Sequence, residues 1–225
     1  MNNLILISFL SYLLGSIPIT FLVVELLVKK DLRKFGSKNI GATNAYRTVK
    51  EAGKKKLALL TFLVCLILDM AKGALPIFLV QRYFLVDFNL ALILVGFFVV
   101  LGHNYSIFLR FTGGRGAACL MGILLYLNPI SLLVWGLPVL ICAIPAQIIL
   151  EKKRKIEKIN WKKPLEVVMM IIGGQMAGRM AGLILAPVFL YFYSPQIFLS
   201  VAAGTILLLT KNITRFDTYF AEIKR

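Results

Sequence analysis

Long runs of apolar residues alternate with short polar segments from residue 4 to residue 209. A helix needs about twenty apolar residues to cross the hydrocarbon core of a bilayer, and several runs reach or approach that length. The pattern predicts seven membrane segments, at residues 4–28, 57–80, 89–109, 117–127, 130–150, 167–191 and 196–209. Gly15 and Pro18 interrupt the first segment, and the fourth segment is short for a full crossing.

Composition supports the same interpretation. Hydrophobic residues make up 59% of the 225 residues, and the mean hydropathy of +0.84 exceeds what a soluble domain of this size requires. We therefore expect an all-α, polytopic integral membrane protein with about seven transmembrane helices, forming a single domain over residues 1–225. The first three residues lack the basic region of a cleavable signal, so we expect the first segment to remain as a helix.

The distribution of positive charge predicts an orientation. With seven crossings, all but three of the 26 Lys and Arg residues fall on one side, Lys72 and Arg179 lie within spans, and Arg82 lies opposite. Because Lys and Arg favour the cytoplasmic side, we expect a multi-pass cell-membrane protein with the N-terminus outside and the C-terminus in the cytoplasm. The basic segments suit anionic membrane lipids, and without interleaved exposed aromatic residues they do not indicate a nucleic-acid partner.

The segment from Gly36 to Arg47, G-S-K-N-I-G-A-T-N-A-Y-R, is unusually polar for this chain. Its glycines allow close approach of a ligand to the backbone, and Arg47 ends the run with a planar set of donors suited to phosphate or carboxylate. The segment therefore suits an anion pocket, although a polar loop that only joins two membrane helices fits the composition as well. The candidate binding residues are Ser37, Asn39, Gly41, Thr43, Asn44 and Arg47.

A second polar segment, G-G-R-G at residues 113–116, follows Gly102-His103-Asn104 on the same predicted side. Glycines around Arg115 can present backbone N–H groups and a guanidinium to one phosphate, although a re-entrant turn would use the same residues. The spacing matches neither common nucleotide-binding glycine motif. We expect His103, Gly113, Gly114, Arg115 and Gly116 to contribute to the site.

Asp69, Lys72 and Arg179 are ionisable residues inside predicted spans. Asp69 and Lys72 are spaced i,i+3 on one helix face, which fits either a functional pair or a structural ion pair. Arg179 lies within Gly174-x-x-x-Gly178-x-x-x-Gly182, a spacing typical of closely packed helices, and must face protein, water or a carboxylate such as Asp69.

Groups able to act as a general base are scarce. His103 is the only histidine, and the sequence contains no Ser-His-Asp set and no carboxylate cluster suited to a metal, so neither a metal nor another cofactor is predicted. Anion-binding groups are plentiful by comparison. This inventory suits a reaction in which the substrates are phosphates and a substrate oxygen handles the proton.

Four segments in order resemble the acyl-phosphate-dependent glycerol-3-phosphate acyltransferases of bacterial membranes. They are S-I-P at 16–18, D-L-R-K-x-G-S-x-N-I-G-A-T-N-x-x-R at 31–47, L-D-x-x-K-G-x-L-P at 68–76, and G-H-N-Y-x-x-F-L-R-F-x-G-G-R-G at 102–116. The resemblance implies a seven-helix fold with cytoplasmic motifs. It also implies transfer of a fatty acyl group from acyl phosphate to glycerol 3-phosphate, giving lysophosphatidic acid for phospholipid synthesis, without a metal.

The resemblance also implies residue roles. Ser37 and Arg47 would hold glycerol 3-phosphate, whereas Asn39, Asn44 and the Gly113–Gly116 segment would hold acyl phosphate. The chain differs from the family pattern at Lys38, which replaces a glycine, and at Arg115, which replaces a lysine. In the family's third motif only Asn212, Ile213 and Arg215 match, and Leu209 stands at the histidine position. We take Ser37, Arg47, Arg115 and Asn212 as the candidate catalytic residues.

Three functional hypotheses follow. The first is an active acyltransferase of this family. The second is a non-catalytic relative that binds lipid phosphates and regulates or scaffolds lipid synthesis, because the third motif is incomplete. The third is a transporter whose path Asp69, Lys72 and Arg179 would line, although no inverted repeat is visible.

Overall fold

In the computed structural model the described residues are 2–84, 87–153, 156, 158–171 and 176–224. Within these residues the chain forms ten α-helices and one short 3₁₀ turn. The helices are α1 (Asn2–Ser16), α2 (Ile19–Val28), α3 (Ala42–Glu51), α4 (Lys55–Tyr83), α5 (Phe88–Asn104), α6 (Ala117–Leu127), α7 (Pro129–Lys152), α8 (Pro164–Met169), α9 (Met176–Tyr193) and α10 (Pro195–Lys224); the 3₁₀ turn is Ile107–Leu109.

The candidate membrane helices lie where the apolar runs predict them. Among the described residues, five stretches are long and apolar enough to cross a membrane, at 3–28, 55–83, 129–152, 176–193 and 195–213. Helices α5 and α6 are apolar but shorter, with 17 and 11 residues. The all-helical membrane fold is confirmed, whereas the seven-helix count and the orientation stay predictions.

One predicted boundary is wrong. Hydropathy predicts that the third segment continues to residue 109, but α5 ends at Asn104, and the chain then turns through the 3₁₀ turn with Arg110 and Phe111 at φ of 54° and 58°. Ile107, Phe108 and Leu109 are apolar, so hydropathy could not distinguish this turn from more helix. The last predicted segment, 196–209, agrees with a candidate span at 195–213, and its helix continues beyond the apolar part to Lys224.

The first span is broken where the sequence predicts it. Helix α1 ends at Ser16, Pro18 lacks an N–H to continue the hydrogen-bond ladder, and α2 begins at Ile19. The break leaves the carbonyl of Ile17 inside the protein, where it accepts a hydrogen bond from a side chain of α4.

Close contacts between helix backbones position the elements of the site. A Cβ on Gly73 of α4 would lie 2.0 Å from the carbonyl oxygen of Cys119 in α6, so only glycine permits this approach. Gly178 and Gly182 bring α9 equally close to Cys142 and Val139 of α7. The close packing predicted for the glycine repeat is therefore present at these two positions, while Gly174 lies outside the described residues.

Candidate active site

The first loop, residues 29–41, is organised around the side chain of Asn44. The Asn44 amide donates to the carbonyls of Leu32, Phe35 and Asn39 at 3.0–3.2 Å, and its Oδ1 accepts from the Ser37 N–H at 2.9 Å. The side chain is 1% exposed. Its donors and acceptor are therefore directed to the loop backbone, and Ser37 is held at a fixed position beside α3.

The outer part of the first loop is fastened by an ion pair. Arg33 donates to Asp31 with an Nη2–Oδ2 distance of 2.8 Å, and this hydrogen bond lowers the pKa of the Asp31 carboxyl. The Arg33 guanidinium also lies over the ring of Phe21, which belongs to α2. The ion pair thus fixes the Arg33 side chain, and its contact with Phe21 holds the loop against the end of the first span.

Helix α3 follows the first loop because its apolar residues share one face. Ala45 and Val49 are fully buried against Ala58 and Phe62 of α4. The helix begins at Gly41, which has no side chain to cap the first N–H groups. The first turn of α3 therefore presents backbone N–H groups without a side-chain cap, together with the positive end of the helix dipole.

The glycine loop, residues 113–116, leads into α6 in a comparable way. The N–H of Gly114 donates to the carbonyl of His103 at 2.9 Å, which folds the loop back onto the end of α5. Gly116 has φ of 80° and is the N-cap of α6, so this helix also begins without a side-chain cap. Arg115 projects from the loop next to these backbone donors.

Both helix starts open into one cavity, which we call the polar cleft. Its volume is about 670 Å³. Among the described residues three arginines line it, namely Arg47 of α3, Arg115 of the glycine loop and Arg179 of α9. The remaining lining residues are Ser37, Asn39, Gly41, Ala42, Thr43, Asn44, Phe62, Leu66, Asp69, His103, Gly116, Ala117, Ala118 and Met121.

A buried ionic cluster lies at the inner end of the polar cleft. Lys72 Nζ is 3.2 Å from Asp69 Oδ1, which confirms the predicted pairing of these two residues. Thr20 donates to Asp69 Oδ2 at 2.9 Å, and Lys72 donates to the Ile17 carbonyl left by the helix break, also at 2.9 Å. His103 Nδ1 lies 3.7 Å from Asp69 Oδ1. Asp69 is thus balanced by Lys72.

The polar cleft continues into an apolar groove of about 1330 Å³ between α6, α7 and α9. Ala117, Met121 and Arg179 line both cavities and form the passage between them. The groove beyond them is almost entirely hydrocarbon, lined by Leu132, Leu133, Val134, Trp135, Gly136, Leu137, Val139, Leu140, Ile171 and Leu183. A ligand with an anionic head and a long apolar chain matches this arrangement in both polarity and order.

Comparison with known proteins assigns the chain to a family. A family model described as glycerol-3-phosphate acyltransferase matches residues 5–152. The chain belongs to the glycerol-3-phosphate acyltransferase family. The matched region contains the first loop, the buried ionic cluster and the glycine loop, and it ends with α7.

Individual members of the family match over part of their length. A glycerol-3-phosphate acyltransferase from Anaplasma phagocytophilum is 43% identical over 125 residues, which are 56% of this chain and 60% of that protein. One from Campylobacter jejuni is 43% identical over 137 residues, which are 59% of this chain and 64% of that protein. The alignments thus span less than two thirds of the length of these two relatives.

The fold agrees with that of a solved membrane protein over nearly the whole chain. Crystal structures of PlsY, an integral membrane glycerol 3-phosphate acyltransferase, match with TM-scores of 0.65 and 0.64. They represent its lysophosphatidic acid and glycerol 3-phosphate forms, with 22% and 25% sequence identity, and each match covers 97% of this chain and 92% of that one. The structural likeness therefore extends through α9 and α10, beyond the region that the family model covers.

Most residues that the sequence singled out meet in the polar cleft of this family member. The structure brings together Ser37, Asn39, Gly41, Thr43, Asn44, Arg47, Asp69, His103, Arg115, Gly116 and Arg179. Gly113, Gly114 and Lys72 instead line a smaller adjoining cavity. Asn212 lines neither cavity; it is 2% exposed, and its amide donates to the Leu208 carbonyl within α10.

The sequence did not predict the apolar groove. Its lining residues belong to membrane helices in which nearly every position is apolar, so no spacing distinguishes a groove from a lipid-facing surface. The position of Arg179 is the one available signal, because a charged residue in such a helix must face something polar.

Proposed function

We propose that this protein is an acyltransferase that moves a fatty acyl group from acyl phosphate to glycerol 3-phosphate, giving lysophosphatidic acid in phospholipid synthesis. One observation carries the proposal: an arginine-rich cleft at the N-termini of α3 and α6 opens into a long apolar groove. Family membership and the glycerol 3-phosphate and lysophosphatidic acid forms of the PlsY structures support the same conclusion.

The polar cleft suits phosphate groups on electrostatic grounds. Uncapped helix N-termini bind anions through free N–H groups and the helix dipole, and guanidinium groups form charge-assisted hydrogen bonds with phosphate oxygens. In the proposed complex Ser37 and Arg47 bind glycerol 3-phosphate. Arg115 and the start of α6 bind the phosphate of the donor.

The apolar groove suits the fatty acyl chain. A hydrocarbon chain needs no polar partners there, and the apolar lining gives it surroundings comparable to the interior of the bilayer. Because Arg179 lies in the passage between groove and cleft, it is placed beside the donor's carbonyl and phosphate. The carbonyl carbon then lies at the boundary between apolar and polar surroundings.

The reaction needs alignment and charge neutralisation more than a protein base. The acceptor hydroxyl attacks the acyl carbonyl, the bond from the carbonyl carbon to the phosphate oxygen breaks, and inorganic phosphate leaves. A phosphate oxygen of a substrate takes the hydroxyl proton. The arginines neutralise the charge of both substrates, which otherwise repel each other, and hold them in a partly dry cleft.

We further propose that the cleft faces the cytoplasm. Arg47 and Arg115 line one cavity and so share a side, and the basic segments that contain them predict that this side is cytoplasmic. The test is cysteine labelling in a variant without the native cysteines. Cysteines introduced at positions 38 and 110 should react from the cytoplasmic side, and reaction from outside only would contradict this orientation.

The direct test of function is an assay of the purified full chain with acyl phosphate and labelled glycerol 3-phosphate. We expect labelled lysophosphatidic acid and release of one phosphate for each acyl group transferred. The position of Asn212 outside the cleft favours one other candidate, the non-catalytic relative that binds lipid phosphates. Saturable binding of both substrates without product would support that candidate and overturn the proposed activity.

A further inference from the structure

The buried ionic cluster has no part in the proposed chemistry, although Asp69 and His103 border the polar cleft. Asp69, Lys72 and His103 are between 1% and 8% exposed. Ionisable side chains inside a membrane protein are costly, so three of them in contact require a specific purpose. Their contacts show which part of the site they support.

The cluster is linked to the glycine loop through His103. The His103 carbonyl accepts from the Gly114 N–H at 2.9 Å. The ring lies directly against the same glycine, since a Cβ on Gly114 would be 2.0 Å from His103 Nε2. His103 therefore holds the loop by its backbone on one side and supports it with its ring on the other.

The opposite end of the cluster is anchored in the break of the first span. Lys72 and Thr20 connect Asp69 to α1 and α2 through the Ile17 carbonyl and the Thr20 hydroxyl. Ser106, just after α5, donates to the Ser16 carbonyl at the same break. The end of α5 is thus fixed relative to α1, α2 and α4, and the glycine loop is fixed through it.

We propose that His103 is a positioning residue that sets the place of the glycine loop, and therefore of Arg115, with Asp69 and Lys72 orienting its ring. The inference deepens the proposed function and rests on it. It assigns His103 a role in placing the donor-binding loop, whereas the sequence alone predicts direct substrate binding.

A difference between the two substrates tests this role. In His103→Ala we expect the KM for acyl phosphate to rise roughly tenfold, because a loop displaced by a fraction of an ångström loses its phosphate contacts. The KM for glycerol 3-phosphate should change less than about twofold, because Asn44 holds the acceptor loop independently. Asp69→Asn should shift the donor KM in the same direction. A merely structural role would lower the folded yield and Vmax without changing either KM, and that result would overturn the proposal.

A double-mutant cycle tests the contact itself. Gly114→Ala places a methyl group against the His103 ring and 2.7 Å from the Ile40 carbonyl. In the His103→Ala background the ring is absent and the added methyl no longer clashes with it. The same substitution should therefore lower kcat/KM for acyl phosphate by a smaller factor than in the wild type. Gly53→Ala is the matched control: it lines neither the polar cleft nor the apolar groove, and no atom lies within 4 Å of its added methyl. The strain of a side chain at its φ of 82° is the same in both backgrounds, so its effect should be equal in both. Equal costs of Gly114→Ala in both backgrounds would also overturn the proposal.

Binding of a non-hydrolysable acyl phosphonate separates this inference from the proposed function. If the wild type turns over and His103→Ala leaves both the donor KM and phosphonate binding unchanged, the positioning role is wrong and the activity stands. If the wild type binds phosphonate without turnover and His103→Ala weakens that binding, the positioning role stands and the activity is wrong. A wild type that neither turns over nor binds phosphonate overturns both.

Discussion

The first loop and the glycine loop perform comparable tasks by different means. Each leads into a helix that begins at glycine and opens into the polar cleft, and each precedes or carries an arginine. Asn44, only three residues after Gly41, holds the first loop through four hydrogen bonds to its backbone. The glycine loop is held by His103, and the Nδ1 atom of His103 lies 3.7 Å from Oδ1 of Asp69 on another helix.

The comparison shows that one half of the site is built locally and the other half by tertiary packing. Local hydrogen bonds within about a dozen residues need little of the rest of the fold to form. The support of the glycine loop requires α1, α2, α4 and α5 to be packed together first. We therefore expect that disturbing the support of the glycine loop affects the stability of the whole fold, whereas disturbing the support of the first loop has a local effect. The following predictions test this from the largest effect to the smallest.

The largest loss of stability should come from removing Asp69, which supports the glycine loop through His103. Asp69→Ala leaves Lys72 without its carboxylate inside the protein, and we expect the free energy of unfolding to fall by about 3–5 kcal/mol. The double variant Asp69→Ala, Lys72→Met should lose less than the two single losses added together, because no uncompensated charge remains. Thermal denaturation in detergent measures all four proteins. Strict additivity would show that the two residues do not support each other.

Removing Asn44, the local support of the first loop, should lower the free energy of unfolding by less and should affect only the binding of glycerol 3-phosphate. Asn44→Ala leaves the Ser37 N–H and the loop carbonyls without their partner, for an expected loss of roughly 2–3 kcal/mol in the free energy of unfolding. The KM for glycerol 3-phosphate should rise with little change for acyl phosphate. Thr48→Val is the control on the same helix, because its buried hydroxyl has no hydrogen-bond partner among the described residues. A donor-specific KM effect of Asn44→Ala would contradict a division between the loops.

Substitution of the arginines should separate the substrates that the loops serve. A charge-assisted contact with phosphate contributes about 1.5–3 kcal/mol, so Arg47→Ala and Arg115→Ala should each reduce kcat/KM by roughly ten- to a hundredfold. Initial rates with each substrate varied in turn should show a higher acceptor KM for Arg47→Ala and a higher donor KM for Arg115→Ala. If both variants raise the same KM, the assignment of one substrate to each loop is wrong.

The smallest effect should come from Arg115→Lys. The substitution restores the lysine expected from the family resemblance and keeps the positive charge, so we expect kcat/KM to stay within about threefold of the wild type or to rise. The same assay measures it, with Arg115→Gln as the charge-removing control. A loss as large as that of Arg115→Gln would show that the planar guanidinium geometry is required here.

The division between the loops also explains what the sequence could predict. Glycine, asparagine and arginine within one polar segment suit an anion-binding loop, although a connecting loop fits them as well, and the membrane segments follow from hydropathy. Residue spacing also placed Asp69 beside Lys72, because positions three apart share a helix face. The approach of His103 to Asp69 could not be predicted, because it depends on how α4 and α5 pack.

Asn44 and Arg179 show the same limit of prediction from the sequence, because the partners of both side chains depend on the fold. Asn44 has the chemistry of a ligand-binding residue, and only its neighbours in space show that its amide is directed to the loop backbone. For Arg179 the sequence predicts a partner in protein, water or a carboxylate, and its place between cleft and groove depends on the packing of α7 and α9. Residue type predicts the available chemistry, whereas tertiary structure selects the partner.

The exposed outer wall of the apolar groove determines how a lipid substrate would reach the site. Leu133, Leu137 and Leu140 line the groove and are 70%, 49% and 40% exposed, on a helix expected to lie in the bilayer. In the proposed reaction, a donor with a fatty chain therefore enters sideways from the leaflet, and the lipid product leaves by the same route without crossing water. The rate should then follow the mole fraction of donor in the membrane and fall when inert lipid dilutes it at constant bulk concentration.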